Sequence, residues 1–335
     1  MHAKKLHEQK TQYKYWRFTA QDLYKKREEI NSAGIEIAKQ NRILDYNLRM
    51  EKGETGGQDL AAIEKIEYLT AEEERNMVGF YETKIRDYAK VFKFNKNISA
   101  TAIMFLKRFY IHNTVLDYHP KQTMLTCLFL ATKVENYYIS IDSFTRPLKT
   151  ISPEDVLQFE LLVSQSLRFD FQVSNPFNSA TGLFFDIQKH YEDHTTLVKV
   201  YAAVIALIEK SLFTDCGLMF MPSQIALAMW KHALENHGLN FETYLSKKFP
   251  ADLLHELYSI LDEIQRIVGG YHAPSISEMR EIDKKLIYCK NIAKVKTSEV
   301  YKHLERKKKT EEQDSDNEVE EKSIKPLNSD ADVFK

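Results

Sequence analysis

The chain repeats itself. Sliding the sequence along itself by 102 residues superposes Pro120, Gln122 and Leu125 on Pro222, Gln224 and Leu227. The same offset places Ala100, Ile103, Phe105 and Leu106 on Ala202, Ile205, Leu207 and Ile208. It also places Tyr81 and Ile85 on Leu183 and Ile187, and Val156, Phe159 and Leu162 on Tyr258, Leu261 and Ile264. Generic helical periodicity does not hold one gapless register through four helices, because an accidental register breaks at the loops. The sequence therefore describes a tandem duplication of a five-helix unit, over 71–172 and 175–270, with Asn175-Pro176 opening the second copy.

Start signals support helices throughout. Thr70 with Glu73 forms a capping box before Met77, Phe80, Tyr81, Ile85 and Tyr88, which recur in steps of three and four. Asn97 or Ser99 is placed to cap the segment ATAIMFLKRFY. Pro120 to about Val134 is apolar on most faces, so a rod buried on several sides is expected. A short helix around Ile141–Leu148 follows. Ser152, Pro153, Glu154 and Asp155 are an N-cap, an N1 proline and a first-turn acidic pair. Only ten Gly and eight Pro occur in 335 residues, which disfavours sandwiches and barrels. The expected fold class is all-α: tandem five-helix units flanked by N- and C-terminal helices.

Outside the repeats, residues 1–70 form an N-terminal segment. Tyr15, Trp16 and Phe18 are aromatics too costly to leave solvated together, and are expected to anchor this segment on the rest of the chain. A helix opens at Thr19 or Ala20 and runs to Ile30, and 31–70 reads as a flexible insertion with one short helix. A C-terminal helix is expected over 275–308, capped by Ser275 or Ser277. Residues 309–335, acidic and poor in aromatics, read as a disordered tail. Within it Ser315, followed by Asp316 and Glu318, is a candidate phosphosite for an acid-directed kinase. The run Arg306-Lys307-Lys308-Lys309 suits either a nuclear import signal or a solvated helix end.

Composition removes several function classes. A formal charge of −1 argues against a protein that coats nucleic acid. No apolar run is long enough to span a bilayer, and the N-terminus lacks a signal core, so a reduced intracellular setting with no membrane partner is expected. Cys127, Cys216 and Cys289 have no metal-ligand or disulfide spacing, and the 11 His are scattered. No phosphate-cradling glycine loop, nucleophile elbow or zinc-protease motif is present, so no catalytic residue, metal or cofactor is expected.

The sharpest polar feature is Lys133, ending the apolar Pro120 helix, with Glu160 inside the Ser152 helix. An ordinary rim salt bridge is the plain reading, and such a pair is weak support for stability. The repeat supplies an internal control: the offset puts Lys133 on Glu235 and Glu160 on Asp262, so the apolar skeleton is copied and the Lys is not. That asymmetry favours a job specific to the first copy. A Lys/Glu fork among Leu130, Val134, Phe169 and Phe171 has the make-up of a protein–protein hot spot.

With these residues in view, the chain resembles the cyclins. ATAIMFLKRFY, MLTCLFLATKVE and VLQFELLVSQSLRFDF look like helices two, three and five of a cyclin box. WRFT, KRFYIHNTVLDYHP, SNPF and MPSQIAL make it most similar to the cyclin H group, over about residues 13–30 and 70–305. The resemblance implies two cyclin boxes and a non-catalytic regulatory role, binding and activating a cyclin-dependent kinase. For the cyclin H group that kinase is the CDK-activating kinase, acting on cell-cycle kinases and the RNA polymerase II C-terminal domain. Implied partners are its catalytic subunit, a RING-finger assembly factor and TFIIH, with a nuclear location and no direct nucleic-acid contact. The family's kinase-binding Lys and Glu fall on Lys133 and Glu160, with Leu130, Val134, Glu135, Phe169 and Phe171 around them. Two departures stand out: Lys107 replaces the Asp that cell-cycle cyclins carry before Arg108, and no MRAIL-type docking patch occurs at Asn76–Phe80. The alternatives are another transcriptional cyclin, or a DNA-binding general transcription factor of the same tandem fold.

Overall fold

A computed structural model describes residues 6–53, 60–149 and 151–310. The expected acidic tail beyond residue 310, with Ser315, lies outside the described residues. Every regular element among the described residues is a helix. The chain divides into two compact units, one of Met1–Gly34 with Leu69–Ile287 and one of Ile35–Tyr68 with the chain from Tyr288 onward.

The first unit holds both repeats. After α1 (Ala20–Glu51), which runs on into the second unit, come α2 (Ala71–Val91), α3 (Lys96–Phe109), α4 (Pro120–Val134), α5 (Ile141–Thr145), α6 (Pro153–Leu157) and α7 (Glu160–Ser166). The second copy consists of α8 (Pro176–Ile187), α9 (His194–Ser211), α10 (Pro222–Asn236), α11 (Glu242–Lys248) and α12 (Ala251–Gly269), followed by α13 (Ile276–Cys289). The offset seen in the sequence maps α4 onto α10 end for end, and carries α3 inside α9 and α5 inside α11.

In the first copy α3 and α4 pack along each other with α2 against both. From Ala100 to Phe109 every residue of α3 is buried, so α3 is the axis about which this copy is built. In the second, α10 takes that place: fully buried Trp230 donates its indole N–H to the Ala180 carbonyl at 3.1 Å, and α8, α9 and α12 surround it.

Local capping accounts for most boundaries. Thr70 and Glu73 close a reciprocal capping box at 2.8 and 3.1 Å, and Ser152 and Asp155 close another at 2.9 and 3.2 Å. Helix α3 starts earlier than expected. Its cap is Asn95, whose side chain accepts from the Ile98 amide at 2.9 Å, rather than Asn97 or Ser99.

Three sequence expectations are corrected. Helix α1 does not end at Ile30; it continues unbroken to Glu51. Asn31 and Gly34 look like helix breakers locally, but both have tertiary roles. The Asn31 amide donates to the Leu69 carbonyl at 3.0 Å and to Glu74 at 3.2 Å. At Gly34 a Cβ would lie 2.4 Å from the Thr114 methyl, so only glycine allows this approach. The helix expected from Ser152 is divided at Gln158–Phe159 into α6 and α7.

The C-terminal helix is broken as well: α13 stops at Cys289, a 3₁₀ turn covers Ile292–Lys294, and a last helix spans 299–310. In the second unit Asp45 explains that restart. Its carboxylate accepts from the Glu299 and Val300 amides at 2.8 and 3.0 Å, capping a helix from more than 250 residues away in sequence. The Arg42 guanidinium donates to the Tyr288 and Lys290 carbonyls beside it.

Candidate functional site

Lys133 lies in the last turn of α4, and Glu160 is the first residue of α7, where its charge suits the helix N-terminus. The Lys133 ammonium donates to a Glu160 carboxylate oxygen at 2.5 Å and sits 4.7 Å from the centre of the Phe129 ring. The Lys side chain remains 48% exposed. A pair this open adds about 0–1 kcal/mol to stability, so stability is not what selects it. Its groups stay accessible to a third partner.

The apolar surroundings divide by depth. Phe169 is 58% exposed, while Phe171 and Val134 are half-buried. Leu130 is only 5% exposed, so it supports the patch from beneath and offers little surface of its own. Glu135 does not join the fork; its carboxylate accepts from the Thr101 hydroxyl on α3. Two exposed leucines, Leu157 and Leu161, were not singled out as site residues from the sequence, yet they flank Glu160 along the chain. The signal was present in the run Leu161-Leu162-Val163, since three consecutive apolar residues cannot all face inward from one helix.

Phe169 owes its exposure to the way α7 ends. The Phe169 amide donates to the Ser164 carbonyl and the Arg168 amide to the Gln165 carbonyl, both at 2.8 Å, which closes the helix as a Schellman turn. The left-handed position usually held by glycine is filled by Arg168 at φ 55°, and Phe169 follows at φ 54°. Each such residue costs about 1–3 kcal/mol of backbone strain, so surrounding contacts must impose it. Phe171 then packs edge-on against both Phe105 and Phe169, with ring centres 6.1 and 6.3 Å apart.

The second repeat answers the fork with inverted charge. Glu235 and Asp262, at the positions of Lys133 and Glu160, both contact Lys231 at 3.2 Å. Lys231 is 12% exposed and lies beneath its two carboxylates. Burial lowers its pKa, but the hydrogen bonds and charges of Asp262 and Glu235 outweigh this and raise it. Both copies thus tie their third and fifth helices with an ion pair, and the sequence comparison overstated the contrast. The first copy differs in presenting an open cation, and it also exposes Phe169, Leu157 and Leu161.

The expected aromatic anchors separate in the same way. Trp16 is 2% exposed, with its ring 4.9 Å from the Arg108 guanidinium. Phe18 is half-buried against Leu23, Met104, Ile111 and Leu218. Tyr15, in the short helix Thr11–Tyr15, is 56% exposed and is not part of the buried core.

A further polar group lies inside the first copy. Lys107 and Glu82, both nearly fully buried, pair at 2.8 Å. Burial pushes Glu82 up to about 7 although Lys107 opposes it. They line a cavity of about 300 Å³ with Arg27 and Asp215, which pair at 2.8 Å. These charges are matched, Lys107 with Glu82 and Arg27 with Asp215. Among the described residues no group of three or more His, Cys, Asp or Glu is placed to hold a metal ion, and no helix is long and apolar enough to cross a membrane. Cys127, Cys216 and Cys289 are all buried.

Comparison with known proteins agrees with this architecture. The cyclin N-terminal domain profile matches residues 43–172 and the cyclin C-terminal domain profile residues 175–269. Cyclin-H1-1 of Arabidopsis thaliana is 31% identical over 294 residues, covering 83% of this chain and 87% of that protein. Cyclin mcs2 of Schizosaccharomyces pombe is 31% identical over 319 residues, covering 92% and 91%. Among solved structures, a chain of the CAK complex of Chaetomium thermophilum superposes with a TM-score of 0.73 over 97% of each chain at 24% identity, a likeness of fold. A chain of the yeast TFIIK (Kin28/Ccl1/Tfb3) complex superposes at 0.58 with 26% identity, over 78% of this chain and 99% of that one.

Proposed function

The chain belongs to the cyclin family, and from that premise we propose that it is the regulatory cyclin of a CDK-activating kinase, contributing no catalytic group of its own. The relatives that cover most of the chain are Cyclin-H1-1 of Arabidopsis thaliana and cyclin mcs2 of Schizosaccharomyces pombe, and the structural neighbours come from CAK and TFIIK complexes. The observation that carries the docking role is the open Lys133–Glu160 fork beside exposed Phe169, Leu157 and Leu161 on the first repeat.

The mechanism is a population shift. A protein kinase is active when the glutamate of its C-helix pairs with the strand lysine that holds the ATP phosphates. A rigid helical face that binds only the inward C-helix draws the kinase toward that state. Moving a state from about 1% to 99% takes about 5.5 kcal/mol of differential affinity, within reach of an interface burying about 1,600 Å². Lys133 and Glu160 suit backbone recognition at the helix end, one supplying donors and the other acceptors. A RING-finger assembly factor, TFIIH and a nuclear location complete the proposal, supported by the three-component TFIIK complex among the neighbours.

The test is Lys133→Ala combined with Glu160→Ala. Activation of the kinase is expected to fall at least about tenfold, since desolvated polar contacts at an interface centre are worth about 2 kcal/mol or more. The far-UV circular dichroism is expected to stay unchanged. Normal activation by the double variant would remove the docking role.

A further inference from the structure

The two left-handed residues that display Phe169 need something to hold them, and the chain supplies it from the opposite side of the turn. Asp170 points inward where Phe169 points out. One carboxylate oxygen accepts from the Trp16 indole N–H at 2.8 Å and the other from the Thr11 hydroxyl at 2.7 Å. Its carbonyl accepts from the Arg108 guanidinium at 3.2 Å, and the Gln172 carbonyl accepts from the same group at 3.3 Å. Arg108 is fully buried, and burial lowers its pKa to about 10, so it remains charged at neutral pH. Two residues further on, the Gln12 side chain matches the Ser174 backbone like a neighbouring strand. Its amide donates to the Ser174 carbonyl at 3.2 Å and its oxygen accepts from the Ser174 amide at 2.6 Å. The backbone from Asp170 to Ser174 is thus fixed by α3 on one side and by Thr11–Trp16 on the other.

We propose that Asp170 is the positioning residue of the docking face: clamped by Thr11, Trp16 and Arg108, it presets the left-handed turn that presents Phe169 and Phe171 to the kinase. The inference rests on the reading of that face as the kinase-docking surface. It gives the N-terminal segment a defined task, since Trp16 and Thr11 reach the turn through the Asp170 carboxylate. It also gives Arg108 a role distinct from Lys107 beside it: Lys107 closes an internal ion pair, whereas Arg108 holds the chain that leaves α7.

Asp170 is half-buried, so Asp170→Ala is expected to fold, and Thr11→Val removes one hydroxyl at constant shape. In the isolated full-length chain, hydrogen exchange at the amides of residues 168–171 is expected to quicken about tenfold or more in Asp170→Ala, because the backbone there loses its clamp. Exchange in α3 and α4 is expected to stay as it was. In kinase binding, Asp170→Ala and Phe169→Ala are each expected to weaken affinity about tenfold, and the double variant by clearly less than the product of the two, as for groups acting through one another. Asp170→Ala with Lys133→Ala is expected to multiply. Unchanged exchange at 168–171, or multiplicative losses with Phe169→Ala, would overturn the positioning role. If exchange quickens while Phe169→Ala and Lys133→Ala both bind the kinase normally, the clamp stands as a feature of the turn. The docking reading then fails, and the proposed role in presentation falls with it.

Discussion

The two repeats share a skeleton and differ in where they keep their charges. Helix α3 of the first copy is buried along nearly its whole length and carries Lys107 and Arg108 into the interior. The equivalent helix α9 buries one stripe, with Leu197, Val200, Val204, Ile208 and Ser211 inside. The positions of Lys107 and Arg108 become Glu209 and Lys210 there, and both reach the surface, where Glu209 meets Lys96 at 2.6 Å. At the rim the order inverts: the first copy leaves Lys133 open, while the second seats Lys231 beneath two carboxylates. The first copy spends desolvation on a rigid interior and keeps an adjustable polar pair outside. That division suits a surface that must hold its shape while binding another protein.

The largest expected effect separates the two interiors. Lys107→Met strands a buried carboxylate, so a loss of about 3–5 kcal/mol in denaturant unfolding is expected. Glu209→Met, at the matching position of the second copy, breaks an exposed pair and is expected to cost less than about 1 kcal/mol. Adding Glu82→Leu to Lys107→Met is expected to recover much of the loss, because the orphaned charge disappears. Equal costs for the two single variants would break the comparison.

Glu74 sharpens it through pH. Burial raises its pKa to about 7, although the Val115 amide and the Asn31 side chain both donate to it. Its folded pKa lies above the unfolded value near 4.5, so between these values the folded state binds the extra proton. Stability from this group is therefore highest below about 4.5 and falls as pH rises toward 7, by about 1–3 kcal/mol. Glu74→Gln is expected to flatten that part of the profile in thermal melts taken across the window. In the second copy this position is Pro176, which has no such titration.

The smallest effect concerns the two lysine bridges. Lys231→Met leaves two facing carboxylates and is expected to cost about 1–2 kcal/mol. Lys133→Met is expected to cost about 0–1 kcal/mol of stability while still impairing kinase activation. Calorimetry with a kinase assay on both variants separates an ion pair that holds helices from one that docks a partner.

Much of this was legible along the chain because it is written in short-range chemistry. The capping boxes at Thr70 and Ser152 span three residues, and Pro120 and Pro222 open helices wherever the fold places them. The duplication gave the order and register of the helices, since apolar positions repeat at one offset, although it did not foresee the break between α6 and α7. It also marked Lys133 and Glu160 as neighbours on consecutive elements. The sequence by itself determined the all-helical tandem architecture and the place of the polar fork.

What only the tertiary structure decided depends on groups far apart in sequence. Helix α1 reads as ending at Ile30, but beyond it Asn31 and Gly34, poor helix formers by local propensity, find their partners in Leu69, Glu74 and Thr114. Leu130 and Phe169 are equally apolar in sequence, but one lies beneath the face and the other on it. The exposure of Phe169 follows from a left-handed turn held by Asp170, whose partner Trp16 is 154 residues away. Helix formation is governed by neighbours three and four positions distant, and the sequence states it. Which side chains reach solvent is set by contacts whose loop entropy and desolvation are balanced only in the folded molecule, and no local pattern encodes that balance.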